Sequence, residues 1–378
     1  MQNMSREEQL QRWRDQYKRR GRQGNGRLLD ELCEQYGYSR KHVIKLLRDR
    51  LPKRWRVRRG SRPLYEPIQE IVEHIWKASE QMCGKRLVAA LPLWLPHYGR
   101  HFGVLLPSQH KLLGQVSAST LDRLLAETRV QVQHGRSGTR PGSLLRTQIP
   151  IQGEVWDEQR PGFLEADSVA HCGGSLVGDF VWSLMYTDLA TTWTEGRAVW
   201  NKGWTGVLEQ TRDVEHTLPF PLLGFDCDNG GEWLNRHLVR FLQQRPRPAR
   251  LTRSRPYHKD DNAHVEQKNW MWPRQLLGYG RLAQPRMVVP INAVYKDVWA
   301  PLQNCFLPSM KLKEKWREGS RWVRRHDEPQ TAYARIMGNP HISIKQKQRL
   351  REWFHTLDPF ALAAELERRL HPILREAS

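Results

Sequence analysis

Apolar residues recur with a helical period over roughly the first third of the chain, and the pattern then shortens. In "GRLLDELCEQYGYSRKHVIKLLRDR", Leu28, Leu29 and Leu32 share one helical face, and Val43, Leu46 and Leu47 share another. This spacing predicts two short helices around a tight turn, with Gly37 in the turn and Ser39 as cap of the second helix. "YEPIQEIVEHIW" predicts a further helix, and "VSASTLDRLLAETRV" repeats the small polar cap and the leucine spacing. This second stretch reads either as another copy of the first module or as core helices. "HGRSGTRPGSLLRTQIP", rich in Gly, Ser, Pro and Arg, reads as a linker.

From residue 151 the pattern becomes α/β. "GFLEADSVA" and "DFVWSLMYTDLATTWTEGRAVW" predict strands, the second long enough for a hairpin, and "PFPLLGFD" and "ARLTRSR" predict two more. "EWLNRHLVRFLQQ" sets Leu234, Leu238, Phe241 and Leu242 at helical spacing. "DNAHVEQKNWMWPRQLL" starts another helix, with Asp261 or Asn262 as cap. Beyond 286 comes a segment rich in Trp, Lys and Arg, then two helices. The last opens at Asp358–Pro359 and aligns Leu362, Leu366, Leu370 and Leu374. The expected organisation is a multidomain α and α/β chain. It has basic helices at 1–62, a second helical module at 63–134, a basic linker at 135–150, an α/β core at 151–285, and a basic and helical region at 286–378.

Charge adds a partner to this picture. Lysine and arginine total 61 against 40 acids, for a net +21, and such an excess points to a polyanion, most often nucleic acid. Residues 1–62 hold nineteen of the basic residues and seven of the acids. The helix after Gly37 opens with Arg40, Lys41 and His42, followed by Lys45, as a DNA-reading helix would. No apolar run approaches the roughly 18–20 residues of a membrane span. The start, "MQNMSREEQLQRW", lacks the apolar stretch of a signal peptide. Five cysteines scattered singly suggest neither a disulfide framework nor structural zinc. A reduced, cytoplasmic setting is expected.

Against this positive background "DCDNGGEW" is an anomaly: a predicted buried strand ends in two acids. Carboxylates so placed repel each other and resist desolvation, so a cation is expected to join them. Asp167, in "LEADSVAHCGG", and Glu266, in "DDNAHVEQKN", are further acids in the same region. The triplet Asp167, Asp228 and Glu266 resembles the catalytic acids of DDE transposases and retroviral-type integrases. "DNGGEWLN" is similar to that family's second-aspartate motif, and "SRPYHKDDNAHVEQKN" to its glutamate motif. The N-terminal helices, "RPGSLLRTQIP" and "NCFLPSMKLKEKWREGS" look like insertion-sequence transposases with an integrase core, so the likeness spans the chain. Two departures stand out: thirty-seven residues separate Asp228 from Glu266, and the zinc-binding His/Cys module of retroviral integrases has no counterpart. Asp228 directly precedes Asn-Gly and is favoured as second acid, with Asp226 as the alternative.

The resemblance implies an RNase H-like catalytic core between N-terminal helix-turn-helix modules and the basic C-terminal region. It implies two Mg²⁺ or Mn²⁺ ions, with Asp167 bridging both, Asp228 on one and Glu266 on the other. Hard ions of this kind suit carboxylate oxygens. His258, Lys259 and Lys268 become candidate phosphate contacts, and Asn229 and Gly230 turn residues beside Asp228. The implied activity is DNA transposition. Element ends with terminal inverted repeats are bound, strands are hydrolysed, and the 3′-OH ends are joined to target DNA by an assembly of at least two copies near the bacterial nucleoid. The alternatives are a catalytically silent DNA-binding regulator and a nuclease that only hydrolyses.

Overall fold

The computed structural model describes residues 6–48, 64–133, 159–227, 233, 235–253, 271–318 and 321–377. The chain divides into two compact units, Met1–Leu64 and Tyr65–Ser378.

The first unit is helical: α1 (Arg6–Arg19), α2 (Arg22–Tyr36) and α3 (Arg40–Leu47). Leu28, Leu29 and Leu32 of α2 meet Val43 and Leu47 of α3 in a small core flanked by Trp13 and Tyr17 of α1. Gly37 ends α2 in the left-handed region, at φ 67°, and returns its N–H to the Cys33 carbonyl. A side chain is disfavoured there, so glycine is the natural terminator. Ser39 stands at the cap of α3 without a side-chain capping bond.

In the second unit α4 (Gln69–Ala78), α5 (Gly84–Phe102), α6 (Pro107–Gln115), α7 (Ala118–Leu124) and α8 (Ala126–Gln133) precede the sheet. Leu87, Leu91, Trp94 and Tyr98 bury one face of α5. The Trp94 indole N–H donates to the Phe306 carbonyl at 3.0 Å. These helices therefore share a core with the residues after 286, including Phe306 and Phe360.

Five strands form one mixed sheet: β1 (Phe163–Ala170), β2 (Val181–Asp188), β3 (Thr194–Trp200), β4 (Gly224–Cys227) and β5 (Arg250–Arg253). Their order is β3-β2-β1-β4-β5; β1 runs antiparallel to β2 and parallel to β4. "PFPLLGFD" yields strand only from Gly224, because Pro219 and Pro221 cannot donate to a ladder. Side chains alternate across the sheet. Leu164, Ala166, Leu184, Tyr186, Phe225 and Cys227 face α9 (Trp204–Thr217) and α10 (Arg236–Gln243). Val181, Met185 and Ala198 face α11 (Met271–Leu277) and α12 (Val288–Val294).

A π turn, Tyr295–Trp299, joins α12 to α13 (Ala300–Phe306). Asn292 and Asn304 each bond both backbone groups of one β3 residue, Ala198 and Thr194, at 2.7–2.9 Å. Gly196 lies between those residues, and a Cβ there would stand 2.7 Å from the Tyr295 ring. The edge strand is thereby sealed by side chains.

A two-stranded ribbon follows, β6 (Leu312–Glu318) and β7 (Arg321–His326), and then α14 (Ala332–Gly338), α15 (Ile344–His355) and α16 (Pro359–Glu376). Asp358 caps α16, accepting from the N–H groups of Phe360 and Ala361. Of the predicted leucine stripe, Leu362, Leu366 and Leu370 pack on the core and Leu374 is exposed. No described helix is long and apolar enough to cross a membrane.

Candidate active site

The two central strands bring the first acids together. In β1 the alternation that buries Leu164 and Ala166 toward α9 turns Glu165 and Asp167 to the opposite face. The parallel register pairs Glu165 with Asp226 and Ala166 with Cys227. Three carboxylates of two adjacent strands thus share the face covered by α11 and α12. Glu165 is buried, whereas Asp167 and Asp226 are half-buried.

Local bonds orient two of them. Asp167 Oδ1 accepts the N–H of Ser168 at 2.7 Å. Asp226 Oδ1 accepts the hydroxyl of Thr252, its register partner on β5, at 2.5 Å. Asp226 therefore sits within the ladder, level with Glu165. Asp167 lies one residue beyond the last β1 residue paired with β4, and β4 ends at Cys227, the residue before Asp228.

Asp228 and Glu266 lie outside the described residues, as do Asn229, Gly230, His258, Lys259 and Lys268. On the described side of that segment, α11 begins at Met271, five residues after Glu266, and its Trp272 is buried edge-on to Trp299 at 5.7 Å. Among the described residues no group of three or more His, Cys, Asp or Glu side chains is placed to hold a metal ion. The donor types at the β1 and β4 ends are hard carboxylate oxygens, which fit Mg²⁺ or Mn²⁺ and not a soft ion.

Sequence reasoning missed three features of this face. Glu165 was legible in "LEADS", since residues two apart in a strand share a face. The second is a buried polar chain at the far end of β1: His171 Nε2 lies 2.7 Å from the Ser183 hydroxyl, itself 2.7 Å from the Tyr295 hydroxyl. Burial, with the Arg274 guanidinium nearby, lowers the His171 pKa to about 3, so the ring is neutral at pH 7. The third is Arg274 itself, which α11 brings to this face and lays over the Tyr279 ring at 5.3 Å. No local pattern in the sequence marks the His171 chain, because Ser183 and Tyr295 are remote from it along the sequence.

In the N-terminal unit Arg40, Lys41, His42 and Lys45 are all exposed on α3. Arg40 is ion-paired with Asp30 of α2, and the His42 ring meets the Tyr38 ring edge-on at 4.9 Å. Lys41 and Lys45, four residues apart, occupy one strip of the helix surface.

The chain matches no protein-family model. The uncharacterized protein y4rM of Sinorhizobium fredii (strain NBRC 101917 / NGR234) is 38% identical to it over 332 residues, covering 85% of this chain and 92% of the relative. With that identity over most of both lengths, the chain belongs to the same family as y4rM.

Proposed function

We propose that this chain is a DNA transposase of the DDE type, built on an RNase H-like core. The observation that carries the reading is the junction of β1 and β4. Two parallel strands lie side by side, their aligned pair Ala166–Cys227 directly precedes Asp167 and Asp228, and Asp167 faces the side covered by α11. Ligands commonly sit at the carboxyl ends of adjacent parallel strands. The mixed sheet, with β1 central and an antiparallel hairpin on one side, is consistent with the proposed core.

Asp167, Asp228 and Glu266 would hold two Mg²⁺ or Mn²⁺ ions, which when bound stabilise negative charge on the attacking and leaving oxygens. The protein's own part is to hold these carboxylates in place: the Ser168 N–H does so for Asp167. Water adds to phosphorus and the 3′-oxygen leaves, taking up a proton. The resulting 3′-OH then attacks a target phosphodiester, so the number of phosphodiester bonds is conserved in the joining step. Arg40, Lys41, His42 and Lys45 are proposed to bind the terminal inverted repeats within a helix-turn-helix, and His258, Lys259 and Lys268 to contact phosphates near the cut. Joining paired ends calls for at least two copies. The net charge of +21 supports a nucleic-acid partner and a nucleoid-associated, cytoplasmic location.

The test is a cleavage and joining assay on duplexes carrying the element's ends, in Mg²⁺, Mn²⁺ and EDTA. Metal-dependent joined products that vanish in Asp228→Asn and persist in Asp226→Asn are expected. Nicking without joining would leave a nuclease, and tight binding without cleavage in either metal would leave a regulator.

A further inference from the structure

A cavity of about 730 Å³ opens at the amino ends of β3 and β4. Both β1 and β3 run antiparallel to β2, and β1 runs parallel to β4, so this end of the sheet is opposite the one that carries Asp167. Buried Trp193, Phe220 and Leu350 form the inner wall, and the Trp353 ring lies 6.3 Å from that of Trp193. Exposed Arg247, Lys296 and Arg349 stand at the mouth. They come from three segments: the stretch between α10 and β5, the π turn, and α15. Among the described residues neither the Arg247 nor the Arg349 guanidinium has an ion-pair or hydrogen-bond partner. An apolar wall with a few charged groups at this volume is the usual form of a binding pocket.

The cavity is built from wall to mouth by one chain of side-chain bonds. The Trp193 indole N–H donates to Glu195 Oε1 at 2.9 Å, and Glu195 Oε2 accepts from Arg197 Nη1 at 3.0 Å. Arg197 Nε donates to Asp213 Oδ2 at 2.7 Å, and Asp213 Oδ1 accepts from Lys296 Nζ at 2.7 Å. Glu195 is 4% exposed and Arg197 1%. A buried ion pair is a poor source of stability compared with apolar residues of the same volume. What this one does is fix the Trp193 ring at one end and the Lys296 ammonium at the other. Gln346 Nε2 ties α15 to the Pro219 carbonyl at 3.4 Å, which joins two further walls. The site is therefore formed before anything enters it.

We propose that this cavity docks an acidic peptide segment of a partner protein. One aromatic side chain of the segment packs against Trp193 and Trp353, and its carboxylates meet Arg247, Lys296 and Arg349. Three cations on three sides suit several separated anions, which a peptide carries and a small acid does not. A duplex keeps its bases stacked inside and has nothing to seat on an apolar wall, whereas a single aromatic anchor in a pocket is how peptides and interfaces concentrate affinity. Docking here is independent of the chemistry at the β1 and β4 acids.

The full chain is titrated into a fluorescein-labelled peptide that carries one tryptophan between two pairs of aspartates. Salt is held at about 0.15 M, where charges are screened beyond about 8 Å. Saturable binding by fluorescence anisotropy is expected. Replacing the peptide's tryptophan with alanine should weaken it about tenfold or more. Arg247→Glu with Arg349→Glu should do the same, while Arg324→Glu with Arg325→Glu leaves it within about twofold. If the first double variant melts early, Arg349→Glu alone serves, and a loss of about threefold is expected. Absence of saturable binding by the wild-type chain overturns the proposal and leaves the DNA reading untouched. Equal binding of the alanine peptide, or equal binding by the Arg247 and Arg349 variant, also overturns it. Tighter binding of a single-stranded oligonucleotide, lost in that variant, overturns it in favour of nucleic acid.

Discussion

The two faces of the five-stranded sheet come from the same strands yet do different work. Toward α9 and α10, Leu164, Leu184, Tyr186, Phe225 and Cys227 form a nearly continuous apolar layer. Toward α11 and α12, Glu165, Asp167 and Asp226 replace it, followed along β1 and β2 by the His171–Ser183–Tyr295 chain. Alternation alone produces the contrast. The apolar face supplies cohesion, which frees the other to keep like charges close together at a cost no small core could carry. A substitution on one face should therefore cost stability, and a substitution on the other should cost activity.

The largest separation is expected at Asp167. Asp167→Asn should lower strand cleavage by about 10³-fold or more, since several kcal/mol of transition-state stabilisation is at stake. It should leave the melting temperature unchanged or slightly higher, because one of three neighbouring carboxylates loses its charge. A large drop in melting temperature would break the comparison. Opposite in kind, Phe225→Ala should destabilise by about 3–5 kcal/mol in chemical denaturation, as expected for a fully buried ring.

Gly196→Ala probes the seam where β3 meets the helices. Its methyl would press on the Tyr295 ring, so a loss of about 1–3 kcal/mol is expected, and Gly196→Ala with Tyr295→Leu should recover part of it. The effect of His171 is read through pH. His171 binds a proton readily when unfolded, near pH 6.5, but in the fold only near pH 3. Stability from its neutral ring is thus present above pH 6.5 and lost as pH falls toward 3. The advantage of wild type over His171→Gln should shrink by about 1.4 kcal/mol per pH unit in that window. A pH-independent difference would mean that the ring is charged or accessible.

Much of this fold was legible locally. Gly37 and the leucines of α2 marked the first helical pair, and the long apolar run at 180–200 marked the β2–β3 hairpin. Asp358 marked the start of α16. Other features depend on contacts the chain makes with itself at long range. The leucine stripe of α16 reads equally well as an oligomer seam, and only its packing on α5 and α12 assigns most of it to the core. The site was half legible: Asp167 and the alternation at Glu165 are local, whereas the pairing of Glu165 with Asp226 exists only once β4 lies parallel to β1. His171 carries no sequence signal of its burial, because its partner Ser183 lies 12 residues on, and Tyr295, which bonds Ser183, a further 112.

The asparagine clamp on β3 has a bearing on assembly. In an α-helix, at about 100° per residue, Asn292 and Asn304 would point about 120° apart around the axis. The wider π turn between them takes up part of that difference, so both amides reach the same strand. A helix thereby stands in for a sixth strand, and its side chains fill the hydrogen-bonding slots that a neighbouring copy would need. Copies of this protein therefore cannot join by extending the sheet across β3.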